Sequence, residues 1–354
     1  MKISPPAYSG ITGCFNPRVI GLNFAAFHTK IAASQKLIGC VAAFGARRAF
    51  NPDKGLGMNM PTLDRQVSSD KREASDMPRS QALDMESLSH DHSLVAGVIE
   101  AARAAGEIAR AYFRPGEKTV AGIHKKADGS PVTEADLAAN LLLEESLRQL
   151  IPEAGWLSEE SADLPGRLDH DFVLVVDPID GTRSFAAGDP VWAVSVALVH
   201  RQRPVIGVVH APALNETYVA VKDSGARLNG QAIAVSRHAQ FDAATRVAGP
   251  LGFAQRLRNA GLDFELLPRI PSLAVRISRV AAGVLDVALI SANAQDWDIA
   301  ACDLILTEAG GQLINLRGRQ PLYNRVHTLH GELVAGPDAL LTHFRAAAGL
   351  AATS

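Results

Sequence analysis

At 354 residues the chain is long enough for two domains, or for one large domain with an extension. Its hydrophobic share of 47% and charged share of 20% are those of a globular protein and exclude a fibrous or largely disordered one. A net charge of −2 argues against a polyanion-binding surface, so no nucleic acid polymer is expected as partner, and an anionic substrate would have to be held by local groups.

The cysteines are Cys14, Cys40 and Cys302, with no Cys-x-x-Cys pair. That pattern argues against a zinc site or a disulfide framework and fits a reducing, cytoplasmic setting. No apolar run approaches the ~20 residues a membrane span needs, so no stable membrane insertion is expected.

Residues 1–84 lack clear periodicity and mix an apolar patch at 37–44 with a polar stretch at 66–80. Leu37-Ile38-Gly39-Cys40 superficially resembles a lipoprotein cleavage site. The preceding residues are too polar for a signal core and lie too far from Met1. This part reads as a disordered extension, or as residues upstream of the true start, with the folded domain at 85–354.

From Ser93 the pattern turns helical. Leu94, Val95, Val98, Ile99, Ala102, Ile108, Ala109, Tyr112 and Phe113 form an apolar stripe that ends at Pro115-Gly116. After a loop containing Lys125, Lys126, Asp128 and Gly129, Thr133-Glu134-Ala135-Asp136 opens a second helix in capping-box style. These two helices are expected to pack together on one side of a sheet. A strand over 172–176 is apolar throughout, as in a sheet covered on both faces, and runs into Asp177. Further strands are expected at 193–200, 205–209 and 218–221, with Asn229-Gly230 as a turn. A helix near 273–282, a strand at 287–290, a helix from about Asp298 to Glu308, strands at 312–315 and 333–335, and a last helix from Asp338 complete the chain. Helices and strands alternate as in a layered α/β (α+β) fold.

Asp177-Pro178-Ile179-Asp180-Gly181-Thr182 is the most informative stretch. It places two carboxylates at the carboxyl end of a strand, where open α/β sheets tend to bind ligands. Two acids this close repel each other unless a cation lies between them, and oxygen-only ligands suit magnesium better than zinc. Pro178 restricts the loop, Gly181 admits close backbone approach, and Thr182 brings a hydroxyl. Alone, the stretch also fits an ordinary turn. Glu159-Glu160 fits a solvated loop, and Asp136 and Asp298 each fit a helix cap. Together, Asp177, Asp180, Glu159, Asp136 and Asp298 supply five acids beside the ends of elements.

Four segments, Pro131-Val132-Thr133-Glu134-Ala135-Asp136, Leu157-Ser158-Glu159-Glu160-Ser161, Asp177-Pro178-Ile179-Asp180-Gly181-Thr182 and Trp297-Asp298-Ile299-Ala300-Ala301, resemble the signature blocks of the inositol monophosphatase superfamily in kind, order and spacing. The resemblance covers about residues 93–345. It implies a five-layered αβαβα sandwich and a phosphoric monoester hydrolase using two or three Mg²⁺ ions and sensitive to lithium. It implies Glu159, Asp177, the Ile179 carbonyl, Asp180 and Asp298 as metal ligands, with Asp177 bridging. Thr182 and Asp136 resemble the pair that, with Glu159, activates the attacking water. Gly181 and Thr182 resemble the phosphate cradle, and dimers are usual among relatives. Chemically, two cations about 4 Å apart neutralise a phosphate monoester and stabilise the leaving oxygen.

Substrate choice within the superfamily rests on fewer residues. Inositol-preferring relatives usually carry a glutamate seven residues before the aspartate of the Trp-Asp block, and here that position is Ser291. Arg183, after Thr182, and Pro271-Ser272-Leu273 resemble the 3′(2′),5′-bisphosphate nucleotidase (CysQ-type) branch of sulfur metabolism. Arg183 and Asp298 are then substrate-facing, with Arg183 available to a second phosphate, or else a solvated loop residue. The favoured small-molecule partner is 3′-phosphoadenosine 5′-phosphate, with inositol phosphate and histidinol phosphate as alternatives. A non-catalytic protein acting through partners is the competing class. Trp192 and Trp297 read as core, and Gly310-Gly311 as a helix end.

Overall fold

The computed structural model describes residues 92–126 and 129–347. The expectations for residues 1–84 lie outside them, as does Asp128.

Helix α1 (His92–Tyr112) buries Leu94, Val98, Ala102 and Ala109, the stripe read from the sequence. A short hairpin, β1 (Ile123–Lys125) and β2 (Pro131–Thr133), leads to α2 (Glu134–Leu150). The Thr133 side chain accepts the Asp136 amide while Asp136 accepts the Thr133 amide, the reciprocal cap expected there. The two helices pack on each other and on one face of the larger sheet.

That sheet has seven strands, in the order β3 (Gly155–Ser158), β4 (Phe172–Asp180), β5 (Ala193–His200), β6 (Arg203–Ala211), β7 (Glu216–Val221), β8 (Ala226–Leu228) and β9 (Gln231–Ile233). Strands β3 and β4 run parallel and the rest antiparallel. Asn229 and Gly230, both at positive φ, make the two-residue turn between β8 and β9. All nine residues of β4 are buried, as expected for a strand covered on both faces.

A second sheet of five strands has the order β11 (Glu265–Leu266), β10 (Arg246–Ala248), β12 (Val287–Ile290), β16 (Leu333–Pro337) and β14 (Gly311–Asn315). Helices α5 (Leu273–Ala281) and α6 (Asp296–Glu308) lie between the two sheets, and α4 (Leu251–Asn259) and α7 (Asp338–Ala347) cover the outer face of the smaller one. Strand alternation sorts the side chains. In β12, Ala288 and Ile290 join the inner core, while Val287 and Leu289 join the outer one with Phe253, Leu340 and Phe344. The result is the αβαβα sandwich of five layers.

The inner layer is tight because the facing residues are small. A Cβ on Gly207 of β6 would lie 2.6 Å from the Ala301 carbonyl of α6, so only glycine allows that helix to sit so close to the sheet. The sequence reading missed β10, β11, α4 and the two-stranded ladder of β13 (Ala294–Gln295) with β15 (Leu329–His330). The strands are too short to show a period, whereas α4 does carry a helical spacing, in Phe253, Ala254 and Leu257.

On the other face, His210 of β6 lies under α1, where a Cβ on Gly106 would meet its ring at 2.6 Å. Its Nδ1 is 3.0 Å from the Thr217 hydroxyl. Burial first, and then Arg103 and Arg110, push its pKa down to about 4. A depressed histidine contributes stability that is present above its unfolded pKa, near 6.5, and lost as pH falls toward about 4. Unfolding free energy measured by urea titration is expected to drop by about 3 kcal/mol more over that window in the wild type than in His210→Gln. Parallel curves would contradict this.

A buried carboxylate cluster at the heart of the sheet

The sequence pattern predicts that β4 ends before Asp177, with the acids in a loop. The strand instead continues to Asp180 through a bulge. Asp177 pairs with Ser195 and Asp180 with Ala193, so two residues of β4 oppose one of β5. The bulge replaces the strict alternation of side chains at this point. Ile179 turns into an aromatic nest with Phe113, Phe185, Trp192 and Ala135, which anchors the segment. Trp192 is fully buried, as expected for a core residue, and Trp297 packs partly buried against the inner core. Gly181, at φ +94°, then turns the chain into the short helix α3 (Thr182–Ala187).

Asp177, Asp180 and Asp298 each present a carboxylate oxygen within 4.8 Å of the others. Each is tethered through one oxygen. Asp177 Oδ1 accepts the Ile179 amide at 3.0 Å. Asp180 Oδ2 accepts the Ala274 amide at 2.7 Å and the Ser272 hydroxyl, whose oxygen also caps α5. Asp298 Oδ2 accepts the Gln295 amide at 2.7 Å. The expected helix began near Asp298; it begins at Asp296, with Asp298 in the third helical position closing a capping box. Capping and site-building are therefore not alternatives here, since the cap fixes the orientation of the acid.

Burial, then the neighbouring charges of Glu159, Asp180 and Asp298, raise the Asp177 pKa well above the carboxylate range. Burial and Asp180 do the same to Asp298. Asp180 is pushed up to about 6, chiefly by burial, although Ser272, the backbone amides and the Arg276 charge oppose the shift. Arg276, itself buried, donates to the carbonyls of Ile270 and Leu289 and so braces the chain before Ser272.

Asp136 stands beside the cluster. Its Oδ2 accepts the Thr133 amide at 2.8 Å and the Thr133 hydroxyl at 2.5 Å, and its Oδ1 lies 3.1 Å from the Thr182 hydroxyl. That hydroxyl is also 3.1 Å from the Ile179 carbonyl. With one proton, it can serve only one of them fully. Burial lifts the Asp136 pKa to about 6 against the hydrogen bonds from Thr133.

Glu159 is placed differently. It is not one of the three acids within 4.8 Å of one another, and its carboxylate is held by Lys126 at 2.7 Å. Lys126 also pairs with Glu160 at 2.8 Å. Burial opposes charge on Lys126, but the two glutamates overcome it and hold its pKa above the usual lysine range. Burial and Glu159 push Glu160 up to about 7. Lys126 lies in a loop, as the sequence predicts; its pairing with a glutamate 33 positions away gives no local signal. Arg183 is exposed, with no ion pair or hydrogen bond to its side chain among the described residues. Ser291 is likewise exposed.

The profile of the inositol monophosphatase family matches residues 90–350. The chain belongs to the inositol monophosphatase family. Among curated proteins, it is 34% identical over 243 residues to the 3′(2′),5′-bisphosphate nucleotidase CysQ of Aggregatibacter actinomycetemcomitans, covering 66% of this chain and 88% of that one. It is also 34% identical over 230 residues to the Nus factor SuhB of Pasteurella multocida, covering 62% and 84%. Among solved structures, the extragenic suppressor protein suhB of Bartonella henselae superposes with a TM-score of 0.63 at 28% identity, covering 73% of this chain and all of that one. Family membership makes the chain a metal-dependent phosphoric monoester hydrolase, with a phosphate ester as its small-molecule substrate. No helix among the described residues is long and apolar enough to cross a membrane.

The residues present fit a hard divalent cation: all donors are oxygen and mutually repelling, with Asp177 and Asp180 buried and Asp298 partly so. Without a cation, that repulsion is a cost to the fold. In chelator at pH 8, Asp177→Asn is expected to melt at a higher temperature than the wild type, and millimolar Mg²⁺ should reverse the order by stabilising only the wild type. Equal Mg²⁺-induced shifts in both proteins would dissociate Asp177 from cation binding.

Proposed function

We propose that this protein is a Mg²⁺-dependent 3′(2′),5′-bisphosphate nucleotidase that hydrolyses 3′-phosphoadenosine 5′-phosphate to AMP and phosphate in the cytoplasm. The observation that carries the catalytic part is the convergence of Asp177, Asp180 and Asp298 beside the Thr182–Asp136 pair. The similarity to CysQ and the unpaired, exposed Arg183 support the nucleotide part.

In this reading, Asp177, Asp180, Asp298, Glu159 and the Ile179 carbonyl hold two or three Mg²⁺. When bound, the ions supply charge neutralisation of the phosphate and acidification of a water. The chain's own residues do the rest. Thr182 Oγ1 accepts a hydrogen bond from the attacking water and passes its own proton toward Asp136 Oδ1. Asp136 is fixed for this by its two bonds from Thr133. Glu159 assists once released from Lys126. The amides of Gly181 and Thr182, at the start of α3 where no intrahelical acceptor exists, receive the phosphate oxygens. The water oxygen bonds to phosphorus as its proton replaces the one Thr182 passes to Asp136, the bond from phosphorus to the ribose 3′ oxygen breaks, and that oxygen takes up a proton from solvent. Arg183 meets the 5′-phosphate. Lithium sensitivity and dimerisation, usual in the family, belong to the same proposal.

Purified protein with Mg²⁺ is expected to release phosphate from 3′-phosphoadenosine 5′-phosphate in strong preference to inositol 1-phosphate or histidinol phosphate, and lithium should inhibit it. Replacing Arg183 with Ala should raise KM for the bisphosphate about 10-fold or more and leave KM for a monophosphate little changed. Preference for inositol phosphate would overturn the substrate assignment. No release from any ester would overturn the proposal and favour the non-catalytic alternative. Thr182→Val should lower kcat by about 100-fold or more while Mg²⁺ still stabilises the fold; unchanged kcat would remove Thr182 from the reaction.

A further inference from the structure

Asp296 is a buried acid outside the group formed by Asp177, Asp180 and Asp298. It is 1% exposed, and both its oxygens are engaged. Oδ1 lies 2.7 Å from His330 Nε2, and Oδ2 accepts the Asn324 amide at 2.7 Å. A carboxylate oxygen only accepts, so His330 donates from Nε2.

A first-turn acid on a helix usually needs no further explanation, because it meets the positive end of the dipole from the surface. This one is different. The helix N-terminus is already capped by Gln295 and Asp298, and burying a further carboxylate is costly unless its partners are built in. The partners all belong to one segment, residues 323–330. The same segment forms β15 against β13, so that Ala294 pairs with His330 and Gln295 with Leu329. The Asp296 amide donates to the Thr328 carbonyl at 3.0 Å, the Asn293 amide to His330 at 2.9 Å, and the Thr328 hydroxyl to Gln295 Oε1 at 2.7 Å.

Gln295 is the residue whose amide holds Asp298 Oδ2. The turn that aims Asp298 is thus clamped on its backbone by β15 and on its side chain by Asp296. The clamping segment is itself anchored. Buried Arg167 donates to Asn324 Oδ1 at 2.6 Å and to the Arg325 carbonyl at 2.9 Å, and the Tyr323 hydroxyl donates to Asp303 at 2.7 Å.

We propose that Asp296 is a positioning residue: it locks the turn before α6 onto the segment 323–330 and thereby fixes the carboxylate of Asp298 within the cation cluster. The proposal rests on the reading of Asp298 as a cation ligand. Partners that orient ligands in this way commonly change metal affinity 10–100-fold when removed.

The test is Mn²⁺ affinity of the full chain, read by electron paramagnetic resonance of the free ion, alongside phosphate release as a function of Mn²⁺. The variants are Asp296→Ala, which removes both acceptors, and the pair His330→Leu and His330→Gln. Melting in chelator reports the fold separately. Asp296→Ala is expected to weaken Mn²⁺ binding 10–100-fold and to recover phosphate release when Mn²⁺ is raised by the same factor. His330→Leu should weaken binding in the same direction, and His330→Gln, which keeps a donor, should recover most of the loss. Should Asp296→Ala fail to fold, the histidine pair decides. A lower melting temperature with Mn²⁺ affinity within twofold of the wild type would make the latch merely structural and overturn the proposal. A wild type that binds no Mn²⁺ would overturn the cation reading and this inference with it, whereas binding that Asp296→Ala leaves intact overturns only the inference.

Discussion

Three carboxylates held within 4.8 Å of one another, two of them buried and Asp298 partly so, set the terms for the rest of this structure. Like charges at that separation, away from bulk water, stay together only if the surrounding chain forces them to, or if a proton or cation joins them. The chain does force them. Every acid of the cluster is tied by a backbone amide from its own turn or from a neighbouring element, so none can swing out to solvent without breaking a cap or a bulge. Burial and the neighbouring acids raise the pKa of Asp177 and Asp298, the expected consequence of crowding like charges away from water.

The layers explain how three distant stretches of chain reach one point. Asp177 and Asp180 lie in the second strand of the seven-stranded sheet, where burial on both faces removes water. Helix α5 brings Ser272 and Ala274 to Asp180, and α6 brings Asp298, because both helices fill the narrow space between the sheets. Gly207 keeps α6 close to the large sheet. On the other side, α2 begins at Thr133 and carries Asp136 to the Thr182 hydroxyl. Lys126, arriving from the loop before β2, supplies the local positive charge and holds Glu159 and Glu160.

Much of this was legible in the sequence. The apolar run at 172–176, the Thr133–Asp136 capping box and the Asp-Pro-Ile-Asp-Gly-Thr stretch each carry a local physical signal, and the structure forms the corresponding elements. What was not legible depends on partners far along the chain. The β4 bulge is set by pairing with β5, and no local pattern distinguishes it from a loop. Lys126 meets Glu159 only after the hairpin of β1 and β2 folds over. Asp296 reads as an ordinary first-turn acid until residues 323–330 cover it. Short strands such as β10 and β11 have too few residues to show a period.

The central claim is that these acids exist to hold divalent cations. The most direct measurement is a crystal structure of the full chain grown with Mn²⁺, with anomalous difference density collected at the manganese edge. The account predicts at least one peak bounded by Asp177, Asp180 and Asp298, within coordination distance of their oxygens. A well-ordered cluster with no anomalous density at saturating Mn²⁺ would contradict it.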